Sequence, residues 1–384
     1  MKSIVIFCFG LFCLQNGFSQ IENFPTLRDQ KYGSYPEQIF DYWDANPNKK
    51  DNPVIIYFHG GAFRAGDKSM GGRQVDVLKY CLSQGISFVS ANYRLSKTTR
   101  VDSILDDGRR LSQYLKFKAK ELHIDITKMA SYGTSAGGCM AVWLALVPKQ
   151  ANYNAQDTVL HFDSQIKAAA HITSPATLDI TYWSSILKID SNWMELTNYQ
   201  EDFLFYKISD RSEYNNKEQI ELRASLHFPN YINSNSPPLY YYNISELNPP
   251  SLQDDIAHHG LHAFYLDSIS NVRNHDHVYS VNKNTLQGFQ DMVDYLCLKM
   301  QACEKTSTTE NSIKNKFSFT EYIEKAQNGL MENEIQIYSI DGKRIEVLNR
   351  INTVKIKETL EKLSAGFYVI KFNQDLFRFI KSCP

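Results

Sequence analysis

Neither sign of charge dominates this chain of 384 residues: 41 Lys and Arg stand against 42 Asp and Glu, with no basic stripe. That balance argues against nucleic acid, or a membrane surface held by charge, as the main partner. Long apolar runs are missing too. Apart from residues 4–14 no stretch suggests a membrane span, and that run is itself too short to anchor in a bilayer. Metal-ligand spacing is absent among the cysteines: beyond Cys8 and Cys13 near the start, Cys81, Cys139, Cys297, Cys303 and Cys383 are scattered along the chain, so neither zinc nor any other metal is expected. Cys297 and Cys303 are close enough in sequence to pair in an oxidising compartment. No propeller-sized repeat occurs.

What is present begins with an address. Met1-Lys2-Ser3, the apolar residues 4–14 and Gly17-Phe18-Ser19-Gln20 have the charged start, short hydrophobic centre and small-residue exit of a secretory signal peptide. Residues 1–19 are read as that peptide, with cleavage after Ser19. The remaining length suits one large domain, expected over 20–302, with something smaller behind it.

The chemistry-bearing segment is Ser131-Tyr132-Gly133-Thr134-Ser135-Ala136-Gly137-Gly138, which places a serine in the G-x-S-x-G spacing of a nucleophile elbow. A hydroxyl can stand above a sheet only where a strand turns sharply into a helix, and flanking glycines remove the β-carbons that would collide across that turn. Met129 to Tyr132 reads as a strand; Cys139 to Leu146 reads as a buried helix stopped by Pro148. Upstream, Pro53-Val54-Ile55-Ile56-Tyr57-Phe58 has the unbroken apolar character of a strand buried on both faces and runs into His59-Gly60-Gly61-Ala62-Phe63. Such a glycine loop supplies backbone N–H donors to an oxygen that becomes negative during acyl transfer. Gly61, Ala62 and Ala136 are the expected oxyanion-hole donors around Ser135.

These motifs resemble the α/β-hydrolases of the esterase and lipase type with an H-G-G loop, near the hormone-sensitive-lipase-like and feruloyl-esterase-like branches. Ile86-Ser87-Phe88-Val89-Ser90-Ala91-Asn92-Tyr93-Arg94-Leu95 and Gly66-Asp67-Lys68 are also similar to that family, and the likeness covers residues 52–300. It implies an α/β fold with a mostly parallel central sheet and helices on both faces, an amphipathic helix over 106–122, and a cap insertion over about 176–236. It implies no cofactor. Its triad order is nucleophile, acid, histidine. The base is therefore sought in Asn274-His275-Asp276-His277-Val278, after a strand expected at Ala263 to Leu266 and before a final helix over 284–300; His277 fits the pattern better than His275. For the acid, Glu246 follows the late strand Leu239-Tyr240-Tyr241-Tyr242, with Asp254 and Asp255 as rivals at the start of the next helix. The three tyrosines read as strand packing rather than a sugar platform. Tyr182, Trp183, Trp193, Tyr199, Phe203, Phe205 and Tyr206 fall in the cap, where aromatics either shape a pocket or pack on each other. The resemblance implies a secreted serine carboxylesterase acting through an acyl-enzyme, on acetyl or feruloyl esters of polysaccharides. Alternatives are a prolyl-oligopeptidase-like peptidase and a non-catalytic binding protein on the same fold.

Residues 303–316 are rich in Thr, Ser, Lys, Asn and Glu and read as a linker. After it, Ile335 to Ile340 alternates before Asp341-Gly342, and Phe367 to Phe372 follows Ser364-Ala365-Gly366, the signals of a small all-β sandwich over 317–384. This block resembles the sorting domain of the type IX secretion system, which implies export across an outer membrane with that machinery as a partner. The other reading is an accessory carbohydrate-binding module.

Overall fold

Strand β3 (Asn52–Phe58) is buried along its whole length, as its unbroken apolar run requires. Val54, Ile56 and Phe58 enter one hydrophobic cluster, Ile55 and Tyr57 the other. The period of two thus divides one strand between two cores. The structure, a computed structural model, describes residues 24–302 and, further on, the strands 334–339, 344–349, 366–372 and 375–381. Residues 1–19, read as a signal peptide, and 303–316, read as a linker, lie outside the described residues.

Eight strands form one sheet in the order β1-β2-β4-β3-β5-β6-β7-β8. They are β1 (Leu27–Lys31), β2 (Ile39–Trp43), β3, β4 (Ser87–Ala91), β5 (Ile124–Thr134), β6 (Ala168–Ile172), β7 (Leu239–Tyr242) and β8 (His277–Ser280). The β1–β2 and β2–β4 pairs are antiparallel and all the others parallel. Helices α1 (Arg73–Ser83), α2 (Val101–Phe117), α3 (Ala136–Leu146), α4 (Trp183–Leu187), α5 (Trp193–Leu196), α6 (Glu201–Tyr206), α7 (Lys217–Leu226), α8 (Gly260–Val272) and α9 (Thr285–Lys299) complete this part. Helices α1 and α9 cover one face of the sheet; α2, α3 and α8 share the core on the other. This is the α/β-hydrolase fold. Among the described residues no helix is long and apolar enough to cross a membrane.

The tyrosines of β7 pack as strand residues: Tyr241 faces one cluster, Tyr240 and Tyr242 the other. Helices α4 to α7 lie between β6 and β7, in the expected place of the cap. Two expectations about elements are corrected. Residues 263–266 are not a strand but part of α8, whose buried face includes His262, Asp267 and Ser270; these polar residues interrupt the apolar period that marks a helix. The helix expected over 106–122 begins five residues earlier, at Val101, behind an Arg100 whose side chain makes no cap bond and leaves no start signal.

In the C-terminal part, four antiparallel strands, β9 (Glu334–Ser339), β10 (Arg344–Asn349), β11 (Gly366–Phe372) and β12 (Asp375–Lys381), form a sheet ordered β10-β9-β11-β12.

Candidate active site

Ser135 stands between the end of β5 and the start of α3 with φ 54° and ψ −126°, a conformation costly for a residue bearing a β-carbon. The strain is held by close packing. A β-carbon at Gly137 would lie 2.0 Å from the carbonyl oxygen of Phe58, so α3 can rest on the end of β3 only with glycine there. Every residue of α3 is buried, and the Ser135 amide donates to Ile172 of β6 at 3.1 Å.

The loop after β3 curls beside the serine. Gly61 has φ 111°, and a β-carbon there would meet the carbonyl of Ala65 at 2.1 Å. Its carbonyl accepts from the amides of Arg64 and Ala65 and closes the turn. His59 anchors the loop: its ring stacks on Tyr93 with centroids 4.2 Å apart, its Nδ1 donates to the Gly60 carbonyl at 2.7 Å, and burial lowers its pKa. Among the described residues the amides of Gly61, Ala62 and Ala136 donate to no acceptor. All three residues line a cavity with Ser135, and unsatisfied donors there suit an oxyanion.

The hydroxyl of Ser135 donates to Nε2 of His258 at 2.7 Å, and Nδ1 of His258 donates to Asp255 at 2.6 Å. His258 closes the 3-10 turn Ile256–His258, which lies between β7 and α8. The order Ser, Asp, His is kept, but acid and base are only three residues apart and share one turn.

This geometry corrects two expected roles. His277 is the first residue of β8; β7 pairs with β8 in parallel, Leu239 opposite His277 and Tyr242 opposite Ser280. It therefore lies at the N-terminal edge of the sheet, whereas Ser135 lies at the C-terminal edge, where open α/β sheets gather their ligands. His277 instead contacts Asp267 at 3.1 Å and the His275 carbonyl at 2.8 Å. His275 is buried against the carbonyl of Pro237 at 3.0 Å. Glu246 is exposed on the loop after β7, and it is its carbonyl that packs against Gly260. Of the rival acids, Asp254 accepts from the Ser251 amide at 2.7 Å and braces the turn, leaving Asp255 to face the imidazole. The sequence reading passes over His258, although Asp255-Ile256-Ala257-His258 carries an acid and a histidine one 3-10 turn apart. The turn after β8 is Val281-Asn282-Lys283-Asn284 and has no histidine.

The cavity measures about 820 Å³. Leu178, Ile180, Trp183, Tyr199 and Phe205 from the segment between β6 and β7 and Leu252 and Ile256 from the loop after β7 give it an apolar wall; Arg64, Asp202, Asp254 and Asp255 are its charged residues. The cap aromatics thus divide. Trp193 and Tyr206 are buried in the cap's own core, with Trp193 stacked on Trp183 at 5.7 Å, while Tyr182 is partly open to solvent. Cys139 is buried on α3, and that burial pushes its thiol pKa up. Cys297 is disulfide-bonded. Among the described residues no cluster of His, Cys, Asp and Glu has the geometry to hold a metal.

The sequence model of the BD-FAE family matches residues 40–243, more than half of the chain. The chain belongs to the BD-FAE family. The BD-FAE match spans the glycine loop after β3, the Ser135 turn and helices α4 to α7 and ends one residue past β7, before Asp255 and His258. The esterase LipI of Mycobacterium tuberculosis (strain ATCC 25618 / H37Rv) is 27% identical over 105 residues, 27% of this chain and 32% of that protein, so the chain spans about a third of that relative's length. Among solved structures, a truncated carbohydrate esterase from gut microbiota aligns with TM-score 0.58 at 15% identity, covering 73% of this BD-FAE chain and 98% of that one. An acetyl ester-xyloside bifunctional hydrolase from Caldicellulosiruptor lactoaceticus aligns with TM-score 0.51 at 14% identity, over 69% and 89%. At such identities the likeness is one of fold.

Proposed function

We propose that this protein is a serine carboxylesterase whose working residues are Ser135, His258 and Asp255, with the amides of Gly61, Ala62 and Ala136 as the oxyanion hole. The observation that carries the reading is the unbroken chain of hydrogen bonds, Ser135 to His258 at 2.7 Å and His258 to Asp255 at 2.6 Å, among residues that line one largely apolar cavity. In the proposed reaction Ser135 Oγ attacks the ester carbonyl carbon while its proton passes to His258 Nε2. The carbonyl oxygen becomes negative and is held by the three amides. Asp255 stabilises the imidazolium, which returns the proton to the departing alcohol. Water, deprotonated by the same imidazole, then releases the acid from Ser135.

Esters carried on polysaccharides are the proposed substrates, with acetyl and feruloyl groups as the acyl parts. The likeness to a carbohydrate esterase and an acetyl ester-xyloside hydrolase supports this, as does a cavity with room and aromatic walls for more than an acetyl group. Export by the signal segment 1–19 and a sorting module at 317–384 completes the reading.

The test is hydrolysis of p-nitrophenyl acetate and butyrate by the full chain. Ser135→Ala and His258→Ala should each lower kcat by at least about 10³-fold. Asp255→Asn should cost less, on the order of 10²-fold, because a carboxylate 68% exposed shares its orienting role with water. Full activity in His258→Ala would sink the assignment of the base. Release of acetate or ferulate from xylan then decides the natural substrate.

A further inference from the structure

The turn that carries Asp255 and His258 is short and open to solvent, the two side chains being 68% and 37% exposed. Three residues of 3-10 turn have little stiffness of their own. What aims the imidazole must therefore lie outside the turn, and two buried side chains reach its backbone. Asn243, directly after β7, donates from Nδ2 to the His258 carbonyl at 3.0 Å, while its Oδ1 accepts from the Ser245 amide at 2.9 Å. His262, in the first turn of α8, contacts the Ile256 carbonyl through Nε2 at 3.0 Å, while its Nδ1 accepts from the Ala176 amide at 3.1 Å. An amide can only donate, so Nδ1 is bare and Nε2 carries the hydrogen that Ile256 receives. Burial lowers the pKa of this ring to about 3, so the pattern persists at neutral and mildly acid pH.

Resting on the esterase reading, we propose that Asn243 and His262 are positioning residues that clamp the Asp255–His258 turn at its working distance from Ser135. The clamp has two points, the carbonyls on either side of Ala257, and each is held from a different element. Neither side chain lines the cavity, so neither touches substrate. Loosening the clamp moves acid and base together, because both ride on the same turn. Their mutual bond survives; the distance from His258 to Ser135 does not. The signature is a fall in kcat without a change in KM or in the pH at which activity rises.

The experiment compares the full chain with Asn243→Asp, which keeps the volume and loses the donor, and His262→Phe, which keeps a buried ring and loses both bonds. Rates of p-nitrophenyl acetate hydrolysis are taken per active site titrated with a fluorophosphonate. Each variant should lower kcat by about 10²-fold, the effect of roughly 1 Å of misplacement, with KM and the acid limb of the pH profile unchanged. A kcat within about threefold of the parent, or a raised KM at unchanged kcat, overturns the clamp. Should His262→Phe fail to fold, Asn243→Asp carries the test alone. A parent activity that survives Ser135→Ala overturns the esterase reading and the clamp with it. Activity abolished by Ser135→Ala but indifferent to Asn243→Asp overturns the clamp only.

Discussion

Gly137 shows at a single residue how the elbow depends on what it lacks. Its α-carbon faces the carbonyl ends of Phe58 and His59, and a methyl group would sit 2.0 Å and 2.5 Å from those oxygens. Both obstacles are backbone, so neither can swing aside. Gly137→Ala should therefore destabilise the protein by about 3 kcal/mol or more, read as a lowered urea midpoint at unchanged slope. A midpoint within error of the parent would mean that α3 can lift off β3 at no cost. At this scale the serine and its glycines were legible, because a strained turn admits so few residue types. His258 was not, because nothing local distinguishes a histidine aimed at a distant serine from one beside it. His258, His259 and His262 all lie within five residues; only the fold decides which ring meets Ser135.

The elements were legible where one physical demand dominated. Strands β3, β4, β6 and β7 are buried along their whole length because both faces are covered, and the unbroken apolar run of β3 writes that demand directly in the sequence. Helix α8 was misread because its buried face is joined to the sheet partly by polar bonds: Tyr241 to Ser270 at 2.8 Å and His277 to Asp267 at 3.1 Å. The error in α8 carried the base with it, since a strand at 263–266 would have put His277 in a loop at the working edge. The same network supplies a prediction. His277 and Asp267 have side chains only 6% and 2% exposed, so removing the imidazole takes a buried partner from the Asp267 carboxylate and leaves a hole in the interior. His277→Ala should cost roughly 3 kcal/mol of stability while kcat per titrated site stays at the parent's value. A parent-like melting curve together with lost activity would restore His277 to the chemistry.

The whole molecule should be sensitive to acid for a reason that has nothing to do with catalysis. Burial lowers the pKa of His171 to about 4 and of His262 to about 3, and it also lowers those of His59, His227, His259 and His275. The unfolded chain titrates its histidines near 6.5, so below that pH it binds more protons than the folded one. Stability is thus full above about pH 6.5 and falls as the pH drops toward the folded values; by about pH 4, His171 alone should have withdrawn ~3 kcal/mol. Urea midpoints measured from pH 7.5 down to 4 should decline steadily, and a flat profile would contradict the burial of these rings.

The residues proposed as acid and base, Asp255 and His258, sit on one turn. On the proposed mechanism the loop that joins β8 to α9 takes no part in the reaction, so a change in its length would leave both partners of Ser135 where they are. The cost falls on the connection between β7 and α8, where any insertion would shift both partners of Ser135 at once.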